Sequence, residues 1–379
     1  MAKADTRMQL KFSYLDRQFA NPSPFFKELR ELVRSGEFTL GPYVEKFEAK
    51  FARYIGVKHV IGTNTGTDAL ILSLKAAGVK PGDEVITVAN TFYATVGAIV
   101  VAGAKPVFVD CDERSQIDVR QIPSAITPRT RAILPVHWAG CPADIESIID
   151  IARKRKLAVI EDACQATGAK VGRQFVGTFG VVNAFSMHPL KPLNVWGDGG
   201  MIVTNDDRIA SWLRLYRNHG LVDRDHVQFW GVNSRIQPFQ AIIGARLLDD
   251  MENLIRIRLR NARLLDRLLA DLKEFVSTPP RPRRYREVYT IYLARVKRRD
   301  ELFRYLNDRG VEAKIHYPIP LHLQNAAAGL KYKLGDFPEA EQQAGEVITL
   351  PSHQYITEKQ LHYMAGLIRK FYGRGRNAQ

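Results

Sequence analysis

The sequence has few cysteines and no long apolar run. Its three cysteines, Cys111, Cys141 and Cys164, form no CxxC pair and no zinc-type spacing, so neither a disulfide framework nor a metal site is expected. No segment reaches the roughly 18 uninterrupted apolar residues of a membrane-spanning helix, and the opening MAKADTRMQLKF has no apolar run of signal-peptide length. We therefore expect no membrane partner and a cytoplasmic location.

The chain instead has the composition of a soluble globular protein. Hydrophobic residues make up 45% and charged residues 25% of its 379 residues. This length exceeds one ordinary hydrophobic core. We predict a larger domain over residues 1–245, with an N-terminal arm, and a smaller C-terminal α/β domain over residues 246–379.

Positive charge is in excess. The formal net charge is +15 and the pI about 9.7, which favours an anionic partner such as nucleic acid or a nucleotide diphosphate. Much of the excess lies in the short runs 281–286 (RPRRYR), 297–299 and 374–376. Such runs are also ordinary on solvated surfaces. We expect the charge to serve a substrate diphosphate and expect no nucleic-acid partner.

Short apolar segments alternate with helix-like segments from about residue 55 to 205. Strands are predicted at 59–62, 84–87, 106–110, 132–136 and 158–162, and helices from Asp68, Thr91 and Asp144. This alternation predicts a mostly parallel sheet between two layers of helices. Ligands of such sheets bind at the carboxyl ends of the strands.

Residues beyond Gln237 have a different pattern. A long amphipathic helix is predicted over 253–272, and the Pro- and Arg-rich segment 279–286 interrupts it. A strand near 289–296 and a helix near 300–309 indicate the smaller domain.

Three segments carry candidate chemistry. The first, 63–67 (TNTGT), links a strand to a helix, and its glycine and free amides would make a phosphate cradle. The same pattern is also an ordinary strand-to-helix turn with an N-capping residue. In the second, 161–165 (EDACQ), Asp162 ends an apolar strand, where it could face a cationic group such as a protonated pyridine or could cap a helix.

The third segment is 185–191 (FSMHPLK), followed by a glycine-rich stretch at 197–200. Lys191 leaves a strand among apolar and tightly turned neighbours, which does not suit a surface charge. Lysine forms Schiff bases with carbonyl cofactors, and burial favours its reactive neutral form.

In this order, the segments GTNTGTDAL, PGDEVITVANTF, VIEDACQATGA, FSMHPLKPLNVWGDGG, YRNHG and GVNSR resemble the DegT-type nucleotide-sugar aminotransferases. The resemblance covers nearly the whole chain. It implies the aspartate-aminotransferase fold, that is, the pyridoxal-phosphate (PLP) transferase fold type I, with a mixed, mostly parallel seven-stranded sheet. It also implies PLP as cofactor, with pyridoxamine phosphate as its intermediate form, and a homodimer with shared active sites.

The resemblance assigns roles to individual positions. Lys191 matches the Schiff-base lysine and Asp162 the partner of the pyridinium nitrogen. The other cofactor positions are Gln165 near the phenolic oxygen, Phe92 stacked on the ring, Gly66, Thr67 and Ser186 around the phosphate, and Asn233 reaching the phosphate from the neighbouring subunit. Side chains in segments that face the sugar are His188, Asn194, Trp196, His316 and Tyr317. One departure is Pro192, where relatives more often carry a polar residue; it removes a backbone donor beside Lys191.

The substrates implied are a nucleotide-linked keto sugar and an amino-acid donor, with glutamate expected. The segment after His316 and Tyr317 resembles relatives that act on 3-keto sugars more than 4-keto sugars. One alternative is a PLP-dependent sugar dehydratase, but a histidine replaces the lysine in those relatives. The other is a basic regulatory or nucleic-acid-binding protein on an inactive enzyme fold. This second alternative would need positive charges along one face and would not need the cofactor residues. Every cofactor position, however, carries the residue that the family resemblance expects.

Overall fold

A computed structural model describes residues 8–373 of the chain. Tail arginines 374–376 lie outside the described residues. The helices, labelled α1 to α13 in chain order, are Leu15–Gln18, Ser23–Ser35, Pro42–Ile55, Gly66–Ala76, Tyr93–Val101, Ile122–Ala125, Ile145–Arg155, Asp207–Tyr216, Pro238–Leu247, Met251–Leu268, Arg299–Asn307, Pro338–Glu346 and Glu358–Phe371.

The strands are short. Labelled β1 to β13 in chain order, they are His59–Thr63, Glu84–Val88, Lys105–Val109, Thr130–Ile133, Ala158–Val159, Lys170–Val171, Gln174–Phe175, Asn183–Ser186, Gly200–Thr204, Val276–Ser277, Tyr285–Arg286, Tyr292–Val296 and Val347–Leu350.

Seven of these strands form one sheet, in the order β3-β2-β4-β5-β8-β9-β1. Parallel pairs join β3, β2, β4 and β5, and a parallel bridge between Asp162, three residues after β5, and Ala184 of β8 connects this group to β8, β9 and β1. Strand β9 runs antiparallel to both its neighbours, β8 and β1. The predicted fold, with a mixed and mostly parallel seven-stranded sheet, is confirmed. Strand β2 shows why it forms: EVITV is β-branched at four positions and buried throughout.

A smaller antiparallel sheet, in the order β10-β12-β13, packs with α10, α11 and α13. Its apolar side chains form a cluster separate from those around the large sheet. The N-terminal arm reaches this region, because Leu10 is fully buried in the small cluster and its N–H donates to the carbonyl of Gly310. The boundary at residue 245 stays a prediction.

Among residues 8–373, none of the helices combines the length and the apolar character needed to cross a membrane.

Candidate active site

A cavity of about 730 Å³ opens where the parallel strands of the large sheet end. Its walls come from the segments that follow β1, β2, β5 and β8, together with residues 290–291 and 316–317. This is the edge at which an open α/β sheet binds ligands, and the volume suits a small organic ligand.

The start of α4 forms one wall. Thr65 caps the helix by accepting the N–H of Asp68 at 2.9 Å, and Gly66 and Thr67 line the cavity. A Cβ at Gly66 would lie 2.7 Å from the Cβ of Ser186, so only glycine lets α4 start against the end of β8. First-turn amides lack partners within the helix, so this junction can hold an anion.

Asp162 lies at the end of β5 and is buried. One carboxylate oxygen accepts the hydroxyl of Thr95 at 2.8 Å, and the other accepts the N–H of Cys164 at 3.1 Å. Two hydrogen bonds fix the plane of the carboxylate, while the side chain still lines the cavity. Asp162 can therefore hold a cationic ring nitrogen in one orientation.

The neighbouring carboxylate, Glu161, has a structural role. It accepts backbone N–H groups at positions 177, 179 and 180 and pairs with the ring of His137 at 2.9 Å, all inside the protein. Because side chains alternate along a strand, Glu161 turns away from the cavity while Asp162 faces it.

Lys191 follows β8 in a tight turn. Its N–H donates to the carbonyl of His188, and its own carbonyl accepts the hydroxyl of Tyr14 at 3.1 Å. The side chain opens into the cavity but is otherwise surrounded by protein. Burial lowers the pKa of Lys191, and the nearby Cys164 and Asp162 partly oppose this. The amine is thereby shifted toward its nucleophilic neutral form.

Phe92, Gln165 and Tyr317 also line the cavity. The carbonyl oxygen of the Gln165 side chain accepts the N–H of Ala139 at 3.0 Å, which fixes this buried amide. Tyr317 lies 5.9 Å from Phe92, centroid to centroid, and burial raises its pKa. Tyr317, which we expected to face the sugar, thus also lies against the cofactor residue Phe92.

Two histidines border the same space. Burial and the charge of Lys191 lower the pKa of both, that of His316 to about 4, and the His316 ring lies 3.0 Å from the hydroxyl of Thr349. His188 is exposed. At neutral pH His316 is therefore uncharged. Lys191 is the only lysine or arginine among residues 8–373 that lines this cavity.

Three of the predicted site residues do not line the cavity of their own chain. Asn194 is fully buried and donates to the side chain of Gln18 at 3.0 Å. Trp196 packs against Phe19 at 5.3 Å and against Phe25. Asn233 is exposed on the surface. Its predicted contact with a neighbouring subunit stays a prediction.

Sequence reasoning missed two residues that hold the site. Thr95 fixes Asp162, and Tyr14 fixes the Lys191 segment from the N-terminal arm. Thr95 follows Phe92 by three positions, nearly one helical turn. The helix predicted there therefore places both side chains on the same face, which could have identified Thr95. Tyr14 is 177 residues from Lys191 and had no such signal.

These residues fit pyridoxal phosphate. The cavity offers a helix start and the Ser186 hydroxyl for a phosphate, Asp162 for a ring nitrogen, an aromatic face at Phe92 and the amine of Lys191. The hydroxyl of Thr91, in the cavity wall, is buried and has no hydrogen-bond partner. The fold and the site are those of a PLP-dependent aminotransferase of fold type I.

Comparison with known proteins places the chain more closely. The model of the DegT/DnrJ/EryC1/StrS aminotransferase family matches residues 22–369. A pleiotropic regulatory protein from Geobacillus stearothermophilus is 43% identical, over 94% of this chain and 97% of that protein. The dTDP-3-amino-3,4,6-trideoxy-alpha-D-glucose transaminase of Streptomyces venezuelae is 36% identical, over 90% of each chain.

Among solved structures, S. venezuelae DesV in complex with a ketimine intermediate superimposes with a TM-score of 0.94 and 35% identity. The match covers 97% of this chain and 100% of that one. The chain belongs to the DegT/DnrJ/EryC1/StrS aminotransferase family.

Proposed function

We propose that the protein transfers an amino group from glutamate to a keto sugar carried by a nucleotide. The observation that carries this proposal is that Lys191 and Asp162 line the same cavity. The similarity to a transaminase of a dTDP-linked 3-amino sugar supports the nucleotide-sugar substrate and favours amination at C3. Lys191 argues against the dehydratase alternative, because those relatives carry a histidine there.

The chain's own residues divide the work. Gly66, Thr67 and Ser186 would bind the cofactor's phosphate, and Phe92 would cover one face of its ring. When bound, PLP supplies the electron sink that allows the Cα–H bond of the amino acid to break. Asp162 would keep the ring nitrogen protonated, since a carboxylate fixed by two hydrogen bonds favours the adjacent positive charge.

Lys191 would move the proton. Its amine, shifted toward the neutral form by burial, would take a proton from the donor's Cα and deliver it to the C4′ carbon of the cofactor in the first half-reaction. In the second it would move a proton in the opposite direction, from C4′ to the carbonyl carbon of the sugar. The Tyr14 hydroxyl holds the main-chain carbonyl of Lys191, which limits the positions open to the amine. Lys191 and Asp162 would serve both half-reactions at one site, which predicts ping-pong kinetics.

The direct test supplies glutamate and a panel of nucleotide-linked 3-keto and 4-keto sugars to the PLP-loaded protein. We expect mass spectrometry to detect glutamate-dependent amination, with the highest kcat/KM for a 3-keto sugar. Elimination of water without amination would favour the dehydratase, and no turnover of any nucleotide sugar would refute the substrate class.

We propose further that two chains share each active site, in a cytoplasmic homodimer. Asn233 is exposed and outside its own cavity, and Trp230 nearby is 89% exposed. Tyr93 and Val101, which line the cavity, are 67% and 62% exposed. Exposed apolar side chains at the rim of a site support a covering partner.

Mixing two inactive variants tests the shared site. Lys191→Ala and Asn233→Asp chains, unfolded and refolded together, would form about half hybrid dimers, each with one intact site of two. About a quarter of wild-type activity should then return. If both residues served a site within one chain, every site would keep one lesion, and activity would stay at the level of the separate variants.

A further inference from the structure

A second depression, of about 470 Å³, lies along α10 and is lined by arginine. We call it the arginine groove. Its lining residues are Glu252, Ile255, Arg256, Leu259, Arg260, Arg263, Arg267 and Arg286. It shares no lining residue with the active-site cavity, so the two can hold different ligands at once.

Four of the arginines form a stripe on α10. Arg256, Arg260, Arg263 and Arg267 follow one another at intervals of four, three and four residues, which places them on one helical face, and all four are exposed. At 1.5 Å per residue the stripe is about 16 Å long. Like charges at this spacing repel one another, a repulsion that a bound anion would relieve.

The charges of this stripe lack acidic partners. Arg256 donates to the side chain of Asn253 and Arg260 to that of Asn261, both neutral, and neither Arg263 nor Arg267 makes an ion pair among the described residues. The acidic side chain of the groove, Glu252, pairs with Arg286. Four positive charges are therefore left to attract an external anion.

The basic run 281–286 differs sharply. Arg281 pairs with Asp266 and Glu287, and Arg284 pairs with Asp144 and Glu146. Three of the four arginines of this run, Arg281, Arg284 and Arg286, are thus paired with carboxylates in the fold, whereas the dispersed arginines of the α10 stripe make no ion pair among the described residues.

The arginine groove continues into a neighbouring depression. Glu252 accepts the hydroxyl of Tyr54 at 2.9 Å, and Arg286 lies over the ring of Phe175. Tyr54 and Phe175 line the next cavity, together with Arg53 and Arg173. A basic path with two partly exposed aromatic rings thus runs past the end of the stripe.

We propose that the arginine groove binds a single strand of nucleic acid through its phosphates. Guanidinium groups bind phosphate with two parallel hydrogen bonds, and a basic groove beside aromatic rings is how proteins follow a single strand. A concave groove suits a strand better than a flat membrane. This revises our expectation that no nucleic acid binds, and it adds to the aminotransferase activity without replacing it.

The test measures binding of a fluorescein-labelled oligothymidylate to the PLP-loaded protein by fluorescence anisotropy. The groove variant carries Arg260→Gln, Arg263→Gln and Arg267→Gln at the end of α10. The matched control carries Arg153→Gln, Lys154→Gln and Arg155→Gln, which removes the same charge from exposed positions at the end of α7. Melting temperature and aminotransferase activity are measured for both.

We expect the groove variant to lose about tenfold or more in affinity and the slope of log K against log salt to fall by about 2, as three lost phosphate contacts require. The control variant should keep the wild-type slope, and both should keep their activity. Equal losses in the two variants, or no strand binding by the wild type, would overturn the proposal. So would arginine-dependent binding of phosphatidylserine vesicles or polyglutamate in preference to the strand.

Discussion

The active-site cavity and the arginine groove both suit phosphate groups, but they are built by different means. The cavity offers the start of α4, hydroxyl groups and one lysine. The groove offers four guanidinium groups on long side chains, none in an ion pair with another described residue. Fixed backbone donors recognise one phosphate in one place, whereas mobile charges attract any polyanion over a distance set by salt. The contrast separates a specific site from a general one within a single chain.

The largest expected effect is a loss of transamination in the active-site cavity, while the arginine groove still binds the oligothymidylate. Lys191→Ala should lower transamination by at least about a thousandfold, because the residue is both the attachment point of the cofactor and the acid–base group. Binding of the oligothymidylate should not change. Borohydride reduction of the wild type should fix the cofactor at position 191, as peptide mass spectrometry can check.

Lys154→Ala, on the exposed end of α7, is the control for this lysine and should be fully active. Cofactor fixed at another lysine, or substantial turnover by Lys191→Ala, would contradict the assignment of the site.

A smaller effect is expected at Asp162. An amide cannot hold the ring proton electrostatically, so Asp162→Asn should bind the cofactor but lose about a hundredfold in kcat, equivalent to about 2.7 kcal/mol. Absorption spectra and steady-state rates would test this together. Near-normal turnover by Asp162→Asn would contradict the role of Asp162 in keeping the ring nitrogen protonated.

Thr95→Val should have a moderate effect, because it removes one hydrogen bond to Asp162 while keeping the side chain's shape. A hydrogen bond to a charged group contributes about 1.5–3 kcal/mol, so we expect kcat to fall by about tenfold or more. The control is Thr87→Val, which removes a buried hydrogen bond to the carbonyl of Leu134 inside the sheet.

Thr87→Val should lower the melting temperature with kcat unchanged, whereas Thr95→Val should lower kcat at a temperature where both variants are folded. If both variants changed only stability, Thr95 would be a packing residue and not a positioning residue.

The smallest effect concerns salt. Because the described residues contribute no lysine or arginine to the cavity besides Lys191, which would hold the cofactor, KM for the nucleotide sugar should rise only a few-fold between about 50 and 200 mM salt. Affinity for the oligothymidylate should fall far more steeply. If KM for the nucleotide sugar and affinity for the oligothymidylate depended equally on salt, the cavity and the arginine groove would not differ as we propose.

The sequence by itself determined the fold class and the chemistry of the site. Alternating apolar and helical segments predicted the sheet, and Lys191 and Asp162 stood out because each follows a strand whose end must face the ligand edge. Ten of the predicted site residues line the cavity: Gly66, Thr67, Phe92, Asp162, Gln165, Ser186, His188, Lys191, His316 and Tyr317. Local patterns singled out the segments 63–67, 161–165 and 185–191, because strand ends and helix starts are local features, whereas Phe92, His316 and Tyr317 were assigned through the family resemblance.

Only the tertiary structure decided which side chains meet across the chain. Asn194 and Trp196 lie close to Lys191 in sequence, yet packing against the N-terminal segment turns them away from the cavity. The RPRRYR run looked like the basic surface, but carboxylates from elsewhere in the fold pair with three of its four arginines. The four exposed arginines of the α10 stripe make no ion pair among residues 8–373, because the carboxylate of the groove, Glu252, pairs with Arg286. Pairing of charges depends on neighbours in space, and a sequence lists only neighbours along the chain.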